Sequence, residues 1–334
     1  MGLGGVEWAK WWPWLAGGGV GLLAAAVFWL KYAHFDAKQL EPSQRRRQQA
    51  ATLSVIFNSL QALVKLIAAV ATGSVVLLSE AIHSTVDVLA SLIAFIGVRA
   101  AAEPPDDEHP YGHGKIESLS GFGEALLLAV TVVFVVIEAA NHLLRPVAVA
   151  HVGSGSWVLA LCAIGALIVG SRLKKVGAAD RSLALLGNGR HLVIDSGISL
   201  TVLIVLQITR ITGWNFLDPL AALMLAVWMG WTSDRLGRQA FEQLIDRRVS
   251  DEEIAKIKAF LTAETRIISF HRLRSRLSGA VRLIDVHIVV PRDLSVVDAH
   301  AIADDIEQQL GASLAPADVV VHVDPFDPNV AEPL

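Results

Sequence analysis

The chain is poor in charge and nearly free of cysteine. Asp, Glu, Lys and Arg make up 18% of its 334 residues, against about 25% in soluble domains. The single cysteine, Cys162, excludes an intrachain disulfide and a thiolate metal cage. Any metal must therefore be held by His, Asp or Glu. A net charge of −4 gives no basic footprint for nucleic acid. There is no His-Glu-x-x-His of the kind that builds a zinc hydrolase. The N-terminus lacks the basic n-region and small-residue cleavage site of a signal peptide. Residues 14–30, preceded by Trp8, Trp11 and Trp12, read instead as an extra helix just long enough to span a bilayer. An interfacial helix and a signal sequence are the rival readings.

What the chain does have is apolar length, with 53% of its residues hydrophobic. Six further apolar runs follow, at about 50–71, 74–100, 118–141, 153–171, 183–208 and 215–233. Together they predict an α-helical membrane bundle. Residues 31–49, ending in Arg45-Arg46-Arg47, read as a polar cytoplasmic segment. Basic residues also follow the second run (Lys115), the fourth (Arg172, Lys174, Lys175, Arg181) and the last (Arg235, Arg238, Arg247, Arg248), while the opposite connections are poor in them. The positive-inside rule then puts the C-terminus in the cytoplasm. The expected divisions are an extension (1–47), a membrane domain (48–245) and a cytoplasmic domain (246–334). Lys65, inside the first of the six runs, either snorkels or pairs with an acid.

Polar residues stand where hydrocarbon is expected. The second run carries Glu80, His83, Ser84 and Asp87, and the fifth carries His191 and Asp195. Each His-x-x-x-Asp pair shares one helix face, with about 6 Å between its members along the axis. Ionisable groups at that depth face the bundle interior and mark function; the bland alternative is a polar bond between helices. Two such pairs offer two imidazole nitrogens and two carboxylate oxygens, a complete four-coordinate shell for Zn²⁺. The connection at 101–118 adds Asp106, His109 and His113 in a Pro- and Gly-rich loop, either a second metal site or an ordinary polar loop.

After residue 245 the pattern changes. Ser250 and Glu253 form a capping box before a helix at 250–263. Strands are expected at 267–276, 281–290 and 318–324, with a helix at 295–311 capped by Ser295. The order αββαβ predicts an α+β domain. Its His271, His287, His300 and His322, with Asp324, are either a further metal site or surface histidines on a sheet.

The motifs SEAIHSTVD, HPYGHGKIESL, HLVID and HVDP, spread over about 48–328, resemble the cation diffusion facilitator family of divalent-metal/proton antiporters. The resemblance implies a six-helix transport domain with a metallochaperone-like cytoplasmic domain, acting as a homodimer in the bacterial inner membrane. It is not an enzyme fold. The transport site would be His83, Asp87, His191 and Asp195, and the loop site Asp106, His109 and His113. A two-metal cluster at the dimer interface would use His271, His287, His300, His322 and Asp324. Lys115 and Asp246 would form an inter-protomer or gating ion pair. The implied function is Zn²⁺ export in exchange for protons, with Zn²⁺ also structural or regulatory. Fe²⁺, Co²⁺, Cd²⁺ or Mn²⁺ export is the alternative, and a membrane metal sensor a further one. Some bacterial members have Asp where this chain has His83; two imidazoles are similar to the zinc-selective members. The N-terminal helix departs from the six-helix pattern.

Overall fold

The computed structural model describes residues 41–72, 75–144, 155–212 and 217–328. The expected helix at 14–30 lies outside the described residues, as do the side chains of Glu80 and His83. The chain divides into two units, Met1–Pro104 with Ile116–Ala240, and Pro105–Lys115 with Phe241–Leu334. The histidine loop, expected within 48–245, thus groups with the C-terminal unit.

The first unit holds α1 (Pro42–Thr72), α2 (Val75–Ala100), α3 (Lys115–Leu144), α4 (Gly155–Ala179), α5 (Leu183–Thr212) and α6 (Leu217–Leu244). In every expected apolar run the described residues are helical, but the helices outrun the apolar stretches. Arg45, Arg46 and Arg47 lie in the first turns of α1 rather than in a loop, and Arg172, Lys174 and Lys175 lie on α4 rather than after it. The helical ladder satisfies its own hydrogen bonds, so it can continue beyond hydrocarbon. Pro42 starts α1 at the position where its missing N–H costs nothing.

The unit is apolar outside and polar inside. Ile67 and Val70 of α1, Val133 and Ile137 of α3, and Leu161 and Ile168 of α4 are exposed, whereas Ser54, Asn58, Glu124 and Asn188 are buried. Water would punish such a surface; lipid would not. Among the described residues, Pro42–Ala68, Lys115–Asn141 and Trp157–Ala179 are long and apolar enough to cross a membrane.

Polar bonds tie the helices together in the way expected where lipid gives no hydrophobic drive. Asn188 donates to Ser54 Oγ at 2.9 Å, Asn58 to the Asp87 carbonyl at 3.2 Å, and Ser196 to the Ala163 carbonyl at 2.7 Å. At the α4–α5 crossing the backbones nearly touch. A Cβ on Gly189 would lie 2.8 Å from both the Gly170 carbonyl oxygen and the Lys174 nitrogen. Glycine there lets α5 approach closely, two residues before His191.

The C-terminal unit contains α7 (Asp251–Ala263), β1 (Ser269–Ser278), β2 (Val281–Val290), α8 (Val296–Leu314) and β3 (Ala317–Pro325). This is the expected αββαβ order. The sheet order is β1-β2-β3, with β1 antiparallel and β3 parallel to β2. Ser250 caps α7 in a full capping box with Glu253, and Ser295 caps α8. Ile284, Val286 and Ile288 of β2 pack with Ile257, Leu261, Ile306 and Leu310 in one core. Asp285 and His287 alternate with them and so face the other way.

Candidate metal centres

Asp87 on α2 and His191 and Asp195 on α5 converge inside the membrane unit. His191 Nε2 lies 3.1 Å from Asp87 Oδ1, with which it makes a hydrogen bond, and 3.0 Å from Asp195 Oδ2. Both Asp195 oxygens and His191 Nδ1 are buried without a hydrogen-bond partner among the described residues. Leaving such groups unsatisfied is costly, and a divalent cation between the two carboxylates would satisfy them. A cavity of about 50 Å³ opens beside the group, lined among others by Lys65, Asp87, Asp195 and Ser199. Lys65 does not snorkel: it is buried and donates to Ser84 Oγ at 2.9 Å. His83, the fourth expected ligand, belongs to α2 one turn before Asp87, but its side chain lies outside the described residues.

Sequence reasoning missed Glu124. It is fully buried on α3, and neither carboxylate oxygen has a hydrogen-bond partner among the described residues. The charges that act on it are those of His191, Asp87 and Asp195. Gly187 of α5 makes room for it, since a Cβ there would meet Glu124 Cβ at 2.9 Å. The available signal was an acid inside the apolar run 118–141, which also carries Glu138.

The loop site is assembled within the C-terminal unit. His109 Nδ1 is 3.4 Å and His113 Nε2 3.5 Å from the two oxygens of Asp106, and the rings are 4.5 Å apart. Backbone N–H groups of His109 (2.6 Å) and Glu108 (3.0 Å) grip Asp106 Oδ1. The hydrogen bond from His109 holds this carboxyl below the usual carboxylate range. Three ligand atoms, with a buried His113 Nδ1 that has no hydrogen-bond partner among the described residues, fit a small divalent ion. The next residue, Gly114, rests on the β1–β2 turn: a Cβ would sit 2.5 Å from the Ser278 carbonyl oxygen.

On the sheet, His271, His287 and His322 fall in one row across all three strands. The row exists because β1 bulges between His271 and Arg274. Arg272, at φ 50°, is the extra residue that turns His271 onto the face of His287. Asp324 gathers the row, with its oxygens 2.9 Å from His287 Nδ1, 3.3 Å from His271 Nε2 and 3.3 Å from His322 Nε2. Burial works to raise the Asp324 carboxyl, but the hydrogen bond from His287 and the nearby imidazoles outweigh it and hold it low. His271, His287 and Asp324 form a set that fits a divalent ion. His300 does not join them. It is exposed on α8 and faces Asp304 at 3.6 Å, because α8 packs its other side into the core.

Lys115 Nζ donates to Asp246 Oδ1 at 2.8 Å, and Arg276 approaches the same carboxylate at 3.3 Å. Asp246 occupies the left-handed turn that ends α6, at φ 62°, a conformation aspartate tolerates. The hydrogen bond from Lys115 lowers its pKa. The side chains are 37% and 45% exposed, so the pair contributes under about 1 kcal/mol. With the carboxyl depressed on folding, this contribution is present above the unfolded value of about 3.9 and is lost as pH falls through the lower folded value. Thermal unfolding of Lys115→Gln in detergent should therefore lie close below wild type at neutral pH. The two curves should converge in acid.

The family model for the cation efflux transmembrane domain matches residues 51–245, and that for the cation efflux protein cytoplasmic domain matches 249–326. The cation-efflux pump FieF of Klebsiella pneumoniae subsp. pneumoniae is 32% identical over 277 residues, covering 83% of this chain and 92% of that protein. FieF of Escherichia coli K12 is 31% identical over the same length, with the same coverage. The apolar helices make the chain an integral membrane protein with a cytoplasmic C-terminal domain, and its relatives are transporters rather than enzymes. Six helices in the first unit, a polar metal-ligand cluster among them and the αββαβ order of the C-terminal unit agree with both matches: the chain is a cation efflux transporter of the cation diffusion facilitator family.

Proposed function

We propose that the protein exports Zn²⁺ across the bacterial inner membrane in exchange for protons, as a homodimer. The observation that carries this reading is the buried meeting of His191 Nε2 with the carboxylates of Asp87 and Asp195, drawn from two helices. A metal ion needs the lone pairs that protons otherwise occupy, so the two compete for one site. The proton between His191 and Asp87 must leave before a metal is held there. Two carboxylates neutralise a divalent charge, and His191 with His83 adds bonding without adding charge.

The loop residues Asp106, His109 and His113 are read as a second zinc site. His271, His287, His322 and Asp324 are read as a structural or regulatory zinc cluster at the dimer interface. The exposed His300 suits a ligand offered to a second protomer. Metal shared between protomers would favour the dimer by mass action. Residues 1–47, 48–245 and 246–334 are read as extension, transport domain and cytoplasmic domain.

The test is Zn²⁺ flux in proteoliposomes under an imposed pH gradient. Flux that follows the sign of the gradient is expected; binding without flux would leave a sensor, and flux indifferent to the gradient would refute antiport. Export of another divalent ion is weighed by the same assay. His83→Asp should shift preference towards oxygen-preferring Mn²⁺ and Cd²⁺, and unchanged ion competition would refute a ligand role for His83.

A further inference from the structure

A second cavity in the membrane unit, of about 150 Å³, has the opposite chemistry to the metal centre. Lys174 of α4, Arg190 of α5 and Arg235 of α6 line it together with Trp228 and Trp231 of α6, and among the described residues no carboxylate is in its wall. A route for metal cations would not be lined this way. Arg190 Nη1 is buried without a hydrogen-bond partner among the described residues, and the charge of Arg235 presses on it. Two guanidinium groups lining one cavity, with no carboxylate among its described lining, are a deficit that an anion would cancel.

The aromatic wall says what kind of anion. Trp228 and Trp231 are 41% and 60% exposed on the outside of the helix unit. Arg235 lies 5.6 Å from the centroid of the Trp231 ring. Indole rings beside cations are the pattern of the membrane–water boundary, where headgroups lie. Lys174 stands beside Arg172 and Lys175 on the end of α4 that sequence reading puts towards the cytoplasm. Basic pockets between helices on that side suit lipid phosphates.

We propose that this cavity binds the phosphate of an anionic phospholipid, with Lys174, Arg190 and Arg235 as its ligands and the two tryptophans flanking the glycerol region. The site is independent of the metal reading above.

Native mass spectrometry of the full chain tests it, with phosphatidylglycerol and phosphatidylcholine offered in equal amounts. Wild type should retain phosphatidylglycerol with about a tenfold preference. Lys174→Gln with Arg235→Gln should abolish that preference, and Lys174→Arg with Arg235→Lys should restore it. Zn²⁺ binding by each variant reports that the helices are still assembled. Equal retention of the two lipids by wild type, or an undiminished preference in the glutamine variant, would overturn the proposal. Displacement by inorganic phosphate at matched concentration would assign the pocket to free phosphate and also overturn it. A change in the dimer fraction without lipid loss would assign the face to a second copy instead.

Discussion

Asp195→Asn should weaken Zn²⁺ binding at the membrane site by at least about a hundredfold and abolish transport. Asparagine keeps the size of the side chain, so the substitution isolates charge. With Asp87 alone opposite a divalent ion, one positive charge stays uncompensated in a medium that cannot hydrate it. Removing one member of a buried charge pair costs about 3–5 kcal/mol for this reason. Asp195 contacts His191 Nε2 at 3.0 Å, and its oxygens have no other partner among the described residues, so beyond that contact the helix bundle loses little. Calorimetric titration should show the weak membrane phase together with intact binding at the His271–His287–Asp324 set. Transport within about twofold of wild type would remove Asp195 from the ion path, since a charge contribution of this size cannot hide in a twofold change.

The second large effect is structural. Arg47→Leu should destabilise the membrane unit by about 3–5 kcal/mol, because it leaves the buried Glu117 without its guanidinium partner. Arg47 Nη1 lies 2.9 Å from Glu117 Oε2, with the two side chains 10% and 2% exposed. The double variant Arg47→Leu/Glu117→Leu should recover most of the loss, as apolar replacements of a buried pair often do. Unfolding in detergent, followed on the single and double variants, checks both. If the single variant unfolds with wild type, the pair carries no such weight.

The two predictions mark where the sequence was readable and where it was not. Repeated His-x-x-x-Asp spacing shows that each pair lies on one face, because helix geometry is local. It does not show that α2 and α5 meet there; that depends on close crossings such as Gly170 against Gly189. Glu124 escaped because its neighbours are apolar and the run looked like a plain span. Arg47 looked like part of a polar loop because charge normally ends a membrane segment. Its partner lies 70 residues away, beyond any spacing rule. The loop HPYGHGK was legible because Pro and Gly exclude helix. The cytoplasmic order αββαβ was legible because its caps and period-2 strands are local signals, while the bulge that aligns His271 was not.

That bulge makes the location of an imidazole depend on the length of the strand rather than on its own identity. Were β1 to pair regularly from the hairpin end with Arg272 kept, Arg272 rather than His271 would stand opposite His287, and every residue upstream on β1 would change sides. A ladder without the bulge would then put a guanidinium where an imidazole donor belongs. All four histidines would still be present in the translated chain.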